Sequence, residues 1–207
     1  MTPEADPRDR ILDAAEDAFA EHGLAGARVA AIARQAGVNK AMLYYYFGSK
    51  DELYDAVLER IISQIVDMAA RVGAAPHLRD EGVDIVAFLD GYRGVLHQHP
   101  AFVRLMLRTL LDGGDRIERL VRPRIALVMP VLAGLIALGQ AEGRLNPAPL
   151  PSIVPPVMVS QIFFFALMRP HLASLTGVDE SALVDAWRQT STELLMNGLL
   201  ARPQEAP

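Results

Sequence analysis

No cysteine occurs anywhere in the 207 residues. That absence excludes a disulfide framework and any thiolate-held metal, and with nothing pointing to an oxidising compartment a reducing cytoplasm is the expected location. The N-terminus lacks the marks of an export signal: Met1-Thr2-Pro3-Glu4-Ala5-Asp6 carries acids where a signal would carry bases and then an apolar run. Lysine is scarce. Lys40 and Lys50 are the only two, and arginine supplies the other eighteen bases. Acids are missing from one stretch altogether: between His22 and Lys50 stand Arg28, Arg34, Lys40 and Lys50 and no acid, although the whole chain carries a net charge of -5. A total of that sign argues against nucleic acid, but a basic island inside an acidic chain leaves a local anion-binding surface open.

Apolar runs long enough to cross a bilayer are also wanting. Residues 125–141 hold no charged side chain, yet they contain Pro130, Gly134 and Gly139 and fall short of the roughly 20 residues a span needs, so the expectation is a buried helix. Residues 162–168, bounded by Gln161 and Arg169, are shorter still and read as core or pocket lining. No membrane partner is expected. What the chain does have is 51% hydrophobic residues, enough to bury one large core or to pack a small module beside a larger one.

The punctuation is helical. Asp6 followed by Pro7 suits an N-cap and first helical position, and Gly23 suits the end, which predicts a helix over 7–22 with Ile11, Leu12, Ala15 and Phe19 on one face. Val29, Ile32, Ala33 and Ala36 recur at i, i+3, i+4 and i+7 before Gly37, which predicts a second helix over 29–36. Asn39 caps a short third helix ending at Phe47-Gly48. Ser49 and Glu52 then form a capping box for a long amphipathic helix to about Val72. Further helices are expected near 80–98, 101–111, 115–142, 153–175 and 179–200, with a Pro-rich loop over 146–151 and a mobile tail over 201–207. No strand is expected, so the fold class is all-α.

Two short helices joined by a tight turn make a helix-turn-helix, whose second helix enters the DNA major groove. On a helical wheel Leu43, Tyr46 and Phe47 of the third helix fall on one side, and Ala41, Tyr44 and Tyr45 on the other. Three consecutive aromatics cannot all be buried, and outward tyrosines beside lysine suit phosphate and thymine methyls. Lys50, in the first turn of the fourth helix, opposes the macrodipole unless an anion joins it. The plain alternative is an ordinary helical subdomain with solvated lysines. An enzyme would need a nucleophile–base pair or a ligand cluster, and the scattered histidines and missing Gly-rich loop offer none. His97 and His99, two apart, point to different helix faces, so no metal and no cofactor are assigned.

The stretch from Arg28 through Ile32-Ala33, Ala36-Gly37-Val38, Asn39-Lys40-Ala41-Met42 and Leu43-Tyr44-Tyr45-Tyr46-Phe47 to Ser49-Lys50-Asp51-Glu52-Leu53 resembles the DNA-binding signature of the TetR/AcrR family of transcriptional regulators. The first helix, with Ile11-Leu12-Asp13-Ala14-Ala15 and Phe19, is similar too, and the likeness spans roughly residues 8–68. It implies an N-terminal three-helix helix-turn-helix DNA-binding domain over 7–50, and a C-terminal helical ligand-binding and dimerisation domain over 51–200, connected through the fourth helix. It implies that Lys40, Ala41, Tyr44 and Tyr45 face base edges and the nearby backbone while Asn39, Tyr46 and Lys50 mostly meet phosphate. Arg28 stands where the family has a capping threonine; it cannot cap, but it can reach phosphate. Met42 replaces a small residue.

The implied partners are double-stranded DNA with a palindromic operator, a second copy of the chain, and a small, mostly hydrophobic effector that releases a repressor. Leu183, Trp187, Thr190 and Leu194, continued by Asn197, form a seam expected to dimerise. His97, Met106, Leu110, Met129, Phe164, Phe165 and Met168 are the expected effector contacts, since thioethers and aromatics suit adaptable apolar cavities. A protein-interaction module that keeps the fold without binding an operator is the remaining alternative, supported by Arg28 and Met42.

Overall fold

The computed structural model describes residues 6–74 and 85–200, and all their regular structure is helical. The helices are α1 (Pro7–Gly26), α2 (Val29–Gln35), α3 (Lys40–Phe47), α4 (Lys50–Ala74), α5 (Ile85–Gln98), α6 (Phe102–Leu111), α7 (Arg122–Ala141), α8 (Val154–Thr176) and α9 (Glu180–Leu199), with a π-helical segment, Ile117–Val121, leading into α7. Leu145 and Leu200 make one isolated antiparallel bridge. The expected helices are present, with ends displaced by a few residues. The start of the helix expected at 80 and the tail over 201–207 lie outside the described residues.

The local grammar works as read. Asp6 accepts the Arg8 N–H at 2.9 Å, Asn39 Oδ1 accepts Met42 N–H at 2.8 Å, and Ser49 Oγ accepts Glu52 N–H at 3.1 Å. Each of these satisfies one of the orphan donors at a helix start. Arg28 makes no such bond at the start of α2. Two departures are instructive. Gly23, at φ 68° and ψ 177°, breaks α1 without ending it, and the chain regains one more turn before Ala27. The π-helical turn interrupts what the sequence presents as a single helix over 115–142, and Arg116 and Arg119 at its start both reach Asp55.

The chain forms two compact units, Met1–Gln64 with Leu96–Arg124, and Ile65–Val95 with Ile125–Pro207. The first is built on Ile11, Leu12, Phe19, Ile32, Leu43, Leu53, Leu58 and Ile61, all essentially sealed from solvent. The Phe19 and Tyr54 rings meet edge-on at 4.8 Å. In the second, Phe88, Leu89, Leu132, Ile136, Met158, Ile162 and Phe165 are buried. Phe165 stacks on Trp187 with ring centres 4.1 Å apart. The Pro-rich loop is stapled rather than loose: Asn146 N–H donates to Leu199 O at 2.8 Å, and the Gln140 amide donates to the Asn146 and Pro149 carbonyls.

The helix expected to be buried over 125–141 is buried on one side only. Val128, Leu132, Ile136 and Gly139 face inward, while Leu127, Val131 and Leu138 are exposed. Composition misled here, because a helix apolar all round need not be covered all round. Ile117–Ala141 and Val154–Thr176 are long and apolar enough to cross a membrane by length and composition alone.

Candidate nucleic-acid interface

The outward face of α3 follows from what its inward face must fill. Leu43 and Phe47, one turn apart, are buried with Ile32 and Ala33 of α2 and Phe19 of α1. In an eight-residue helix that leaves little else to bury. Tyr44 is 45% exposed, Tyr45 84% and Tyr46 38%, so all three tyrosines stand in solvent. Tyr46, which the wheel puts on the side of Leu43 and Phe47, is the least exposed of the three: the i, i+4 pair occupies the crevice, and Tyr46 rests its ring against Tyr45 at 5.5 Å. Lys40, Ala41 and Asn39 are exposed beside them, as is Arg28 at the start of α2. The turn between α2 and α3 uses Gly37 at φ 67°, with Val38 N–H bonded to Ala33 O at 2.9 Å. Only glycine adopts that φ cheaply.

Lys50 has a role that the sequence alone does not reveal. Its Nζ donates to Ala25 O at 3.2 Å and Ala27 O at 3.1 Å. These carbonyls belong to the last turn of α1, the negative end of its dipole, so the charge that burdens α4 is compensated by α1. Arg108 of α6 does the same at the Gly23 break, donating to Ala20 O at 3.0 Å and Glu21 O at 2.9 Å. Helix α4 is held in turn by an arginine–carboxylate ladder. Asp51, Asp55 and Glu59 recur every four residues; Arg116 bonds Asp51 and Asp55, Arg119 bonds Asp55, and Arg124 bonds Glu59, at 2.6–2.9 Å. Sequence reasoning missed this ladder, although the i, i+4, i+8 acids were visible.

The ladder continues around α4. Arg60 bonds Asp13 and Glu16 of α1, and Glu16 also meets His99 Nδ1 at 2.8 Å, while His99 Nε2 meets Gln64 at 2.9 Å. Beneath it the Tyr54 hydroxyl donates to Thr109 Oγ1 at 2.8 Å, because the threonine proton is already given to Leu105 O. Burial pushes the Tyr54 phenol above its ordinary value.

Of the expected effector residues, His97, Met106 and Leu110 belong to the first unit and Met129, Phe164, Phe165 and Met168 to the second. His97, Leu110 and Phe164 are exposed, Met106, Met129 and Met168 are half-buried, and Phe165 is buried in a stack with Trp187. Two cavities among the described residues are lined by none of them: a groove of about 920 Å³ bordered by Glu21, Arg28, Gln35, Arg104 and Arg108, and an apolar cleft of about 330 Å³ bordered by Leu150, Ile153, Val157, Leu194 and Leu199. Of the expected seam, Thr190 and Leu194 are exposed, whereas Leu183 and Trp187 are half-buried. Ile153, Val157, Phe164 and Leu175 add an exposed apolar stripe along α8. The spacing of these four was legible in the sequence, which instead assigns Phe164 to a cavity.

Taken together, α2, the Gly37 turn and α3 with its solvent-facing tyrosines define a helix-turn-helix regulator of transcription. The family model for bacterial regulatory proteins of the tetR family matches residues 11–57. The HTH-type transcriptional repressor NicS of Pseudomonas putida is 30% identical over 198 residues, covering 93% of this chain and 92% of that protein. Among solved structures, the transcriptional regulator SCO4942 of Streptomyces coelicolor superposes with a TM-score of 0.73 at 26% identity, covering 95% of this chain and all of that one. The transcriptional regulator FadR of Bacillus subtilis, solved in complex with stearoyl-CoA, shares the fold with a TM-score of 0.67 at 17% identity, covering 92% of this chain and 98% of that one. The chain belongs to the TetR family of DNA-binding transcriptional regulators.

Proposed function

We propose that two copies of this chain bind a palindromic operator and repress transcription until a small, mostly hydrophobic effector releases them. In this reading residues 7–50 meet DNA and residues 51–200 carry the effector site and the dimer seam. The observation that carries it is the exposure of Tyr44, Tyr45 and Tyr46 on a helix whose opposite side is sealed by Leu43 and Phe47. Bare tyrosines are a poor choice for a purely solvated surface and a good one for a groove, where the ring packs on thymine methyls and the hydroxyl bonds phosphate.

Lys40, Ala41, Tyr44 and Tyr45 face base edges and the nearby backbone, Lys40 with its charge towards phosphate. Arg28, Asn39, Tyr46 and Lys50 hold the backbone; Asn39 keeps its amide donors free while its oxygen caps α3, and Lys50 keeps one N–H beyond the two given to α1. The exposed apolar residues of α8 and α9, Phe164 and Leu194 among them, supply the seam for a second copy. A dimer is required because half-sites one helical turn apart, about 34–36 Å, must be met at once. Repression is supported by the relative NicS, which is named a repressor, and an apolar effector by the fold neighbour that holds stearoyl-CoA. The site of action is the cytoplasm, where the DNA is. No residue set for catalysis, no metal and no cofactor enters this reading.

The test is binding of the purified full chain to its own upstream DNA and to a shuffled duplex of equal length. A preference of about 10³-fold or more, lost on addition of apolar compounds, is expected. Equal affinity for both duplexes contradicts the operator, and retention in every compound contradicts the effector.

A further inference from the structure

In the unit formed by Ile65–Val95 and Ile125–Pro207 one uncharged side chain has a buried donor with no counterpart among the described residues. Gln161 sits in the middle of α8, three residues after Met158 and four before Phe165, on the side where Val154, Met158, Ile162 and Phe165 are buried. Its Nε2 is buried and makes no hydrogen bond. An amide donor left unpaired against apolar walls is destabilising, and a water there would need two to four polar partners to settle. A donor kept in such a place is accounted for by an acceptor that arrives from outside.

Beside it stands an aromatic platform. Phe165 and Trp187 lie parallel within 5° at 4.1 Å, and the Arg93 guanidinium is 5.4 Å from the Trp187 ring centre. Charge narrows the chemistry of the ligand. Arg93 is matched by Asp90 at 2.8 Å and donates to Ser191 and Thr192, with only its Nε unpaired, and Arg169 is matched by Glu180 at 2.7 Å. No uncompensated cation in this cluster remains to neutralise a buried carboxylate, which would be costly to desolvate. Tyr92 of the same unit, also neutral, is 3% exposed, and burial raises its phenol.

We propose that the effector presents a neutral carbonyl oxygen, that of a ketone, ester or amide, to the Gln161 side chain, with its apolar body against the Phe165–Trp187 stack. This rests on the effector-binding reading above and names the chemistry of its ligand.

Trp187 is the only tryptophan, so its emission reports occupancy of this place without DNA. The full chain is titrated with the ketones nonan-2-one and acetophenone, the carboxylates nonanoate and benzoate, and the hydrocarbons nonane and ethylbenzene. The ketones are expected to change Trp187 emission saturably, at least ten-fold more tightly than the other two classes. Gln161→Leu, which keeps size and removes the donor, is expected to weaken ketone binding about ten-fold and to leave the hydrocarbons unchanged. Unchanged ketone affinity in Gln161→Leu, tighter binding of the carboxylates, or no response to either ketone overturns the proposal. Thermal unfolding and operator binding of Gln161→Leu without compound control for folding. If the operator reading fails the fluorescence result still stands, and a ketone that binds Trp187 without releasing DNA separates the two claims in the other direction.

Discussion

Lys50 shows how one side chain answers to two helices. In the first turn of α4 its charge opposes the macrodipole by a few tenths of a kcal/mol, yet the ammonium gains the Ala25 and Ala27 carbonyls at the end of α1. Lys50→Ala is therefore expected to lower the free energy of unfolding by about 1 kcal/mol, measured by urea denaturation of the DNA-free protein. A residue serving phosphate alone would leave that stability unchanged. Asn39 and Ser49 were readable as caps because their partners lie three residues away. The partners of Lys50 lie 23 and 25 residues away and exist only once α1 and α4 are packed. The exposure of Tyr46 was harder to read for a related reason: a wheel shows direction, but only the crevice between helices shows that Leu43 and Phe47 already fill it.

Among the elements, α4 has the most tethers. Its acids at 51, 55 and 59 engage Arg116, Arg119 and Arg124, and Arg60 on the same helix reaches Asp13 and Glu16. Isolated exposed pairs contribute about 0–1 kcal/mol, and a shared, partly buried carboxylate contributes more than either pair alone. Asp55 is 24% exposed and holds two arginines, whereas Asp51 is 68% exposed and holds one. Asp55→Ala is expected to cost about 1–2 kcal/mol and Asp51→Ala less than 1, by thermal or urea unfolding, with both differences shrinking at high salt. Equal small losses would show that the ladder is a surface decoration. The sequence displayed the acid spacing but not its partners, since Arg116 stands just before and Arg119 within a π-helical turn that no periodicity announced.

At the scale of the whole molecule, the all-helical fold, the helix order and the helix-turn-helix were legible because caps, glycines and i, i+3, i+4 spacing are local. Contacts with partners outside the single chain were not. Phe164 and Leu194, both apolar and both largely exposed, differ from core residues only in what covers them. Hydrophobicity alone sent one to a cavity and the other to a seam. The same holds for charge. A net charge of -5 describes the chain, but residues 28–50 carry Arg28, Arg34, Lys40 and Lys50 and no acid.

The central claim, that this face binds DNA phosphates and bases specifically, is tested most directly by the salt dependence of operator affinity for the native chain and for Lys40→Ala, whose ammonium has no hydrogen bond or ion pair within the chain among the described residues. The account predicts affinity that falls steeply and linearly on logarithmic axes, with the slope reduced by about one unit in Lys40→Ala. A flat salt dependence, or one unchanged by the loss of Lys40, would contradict it.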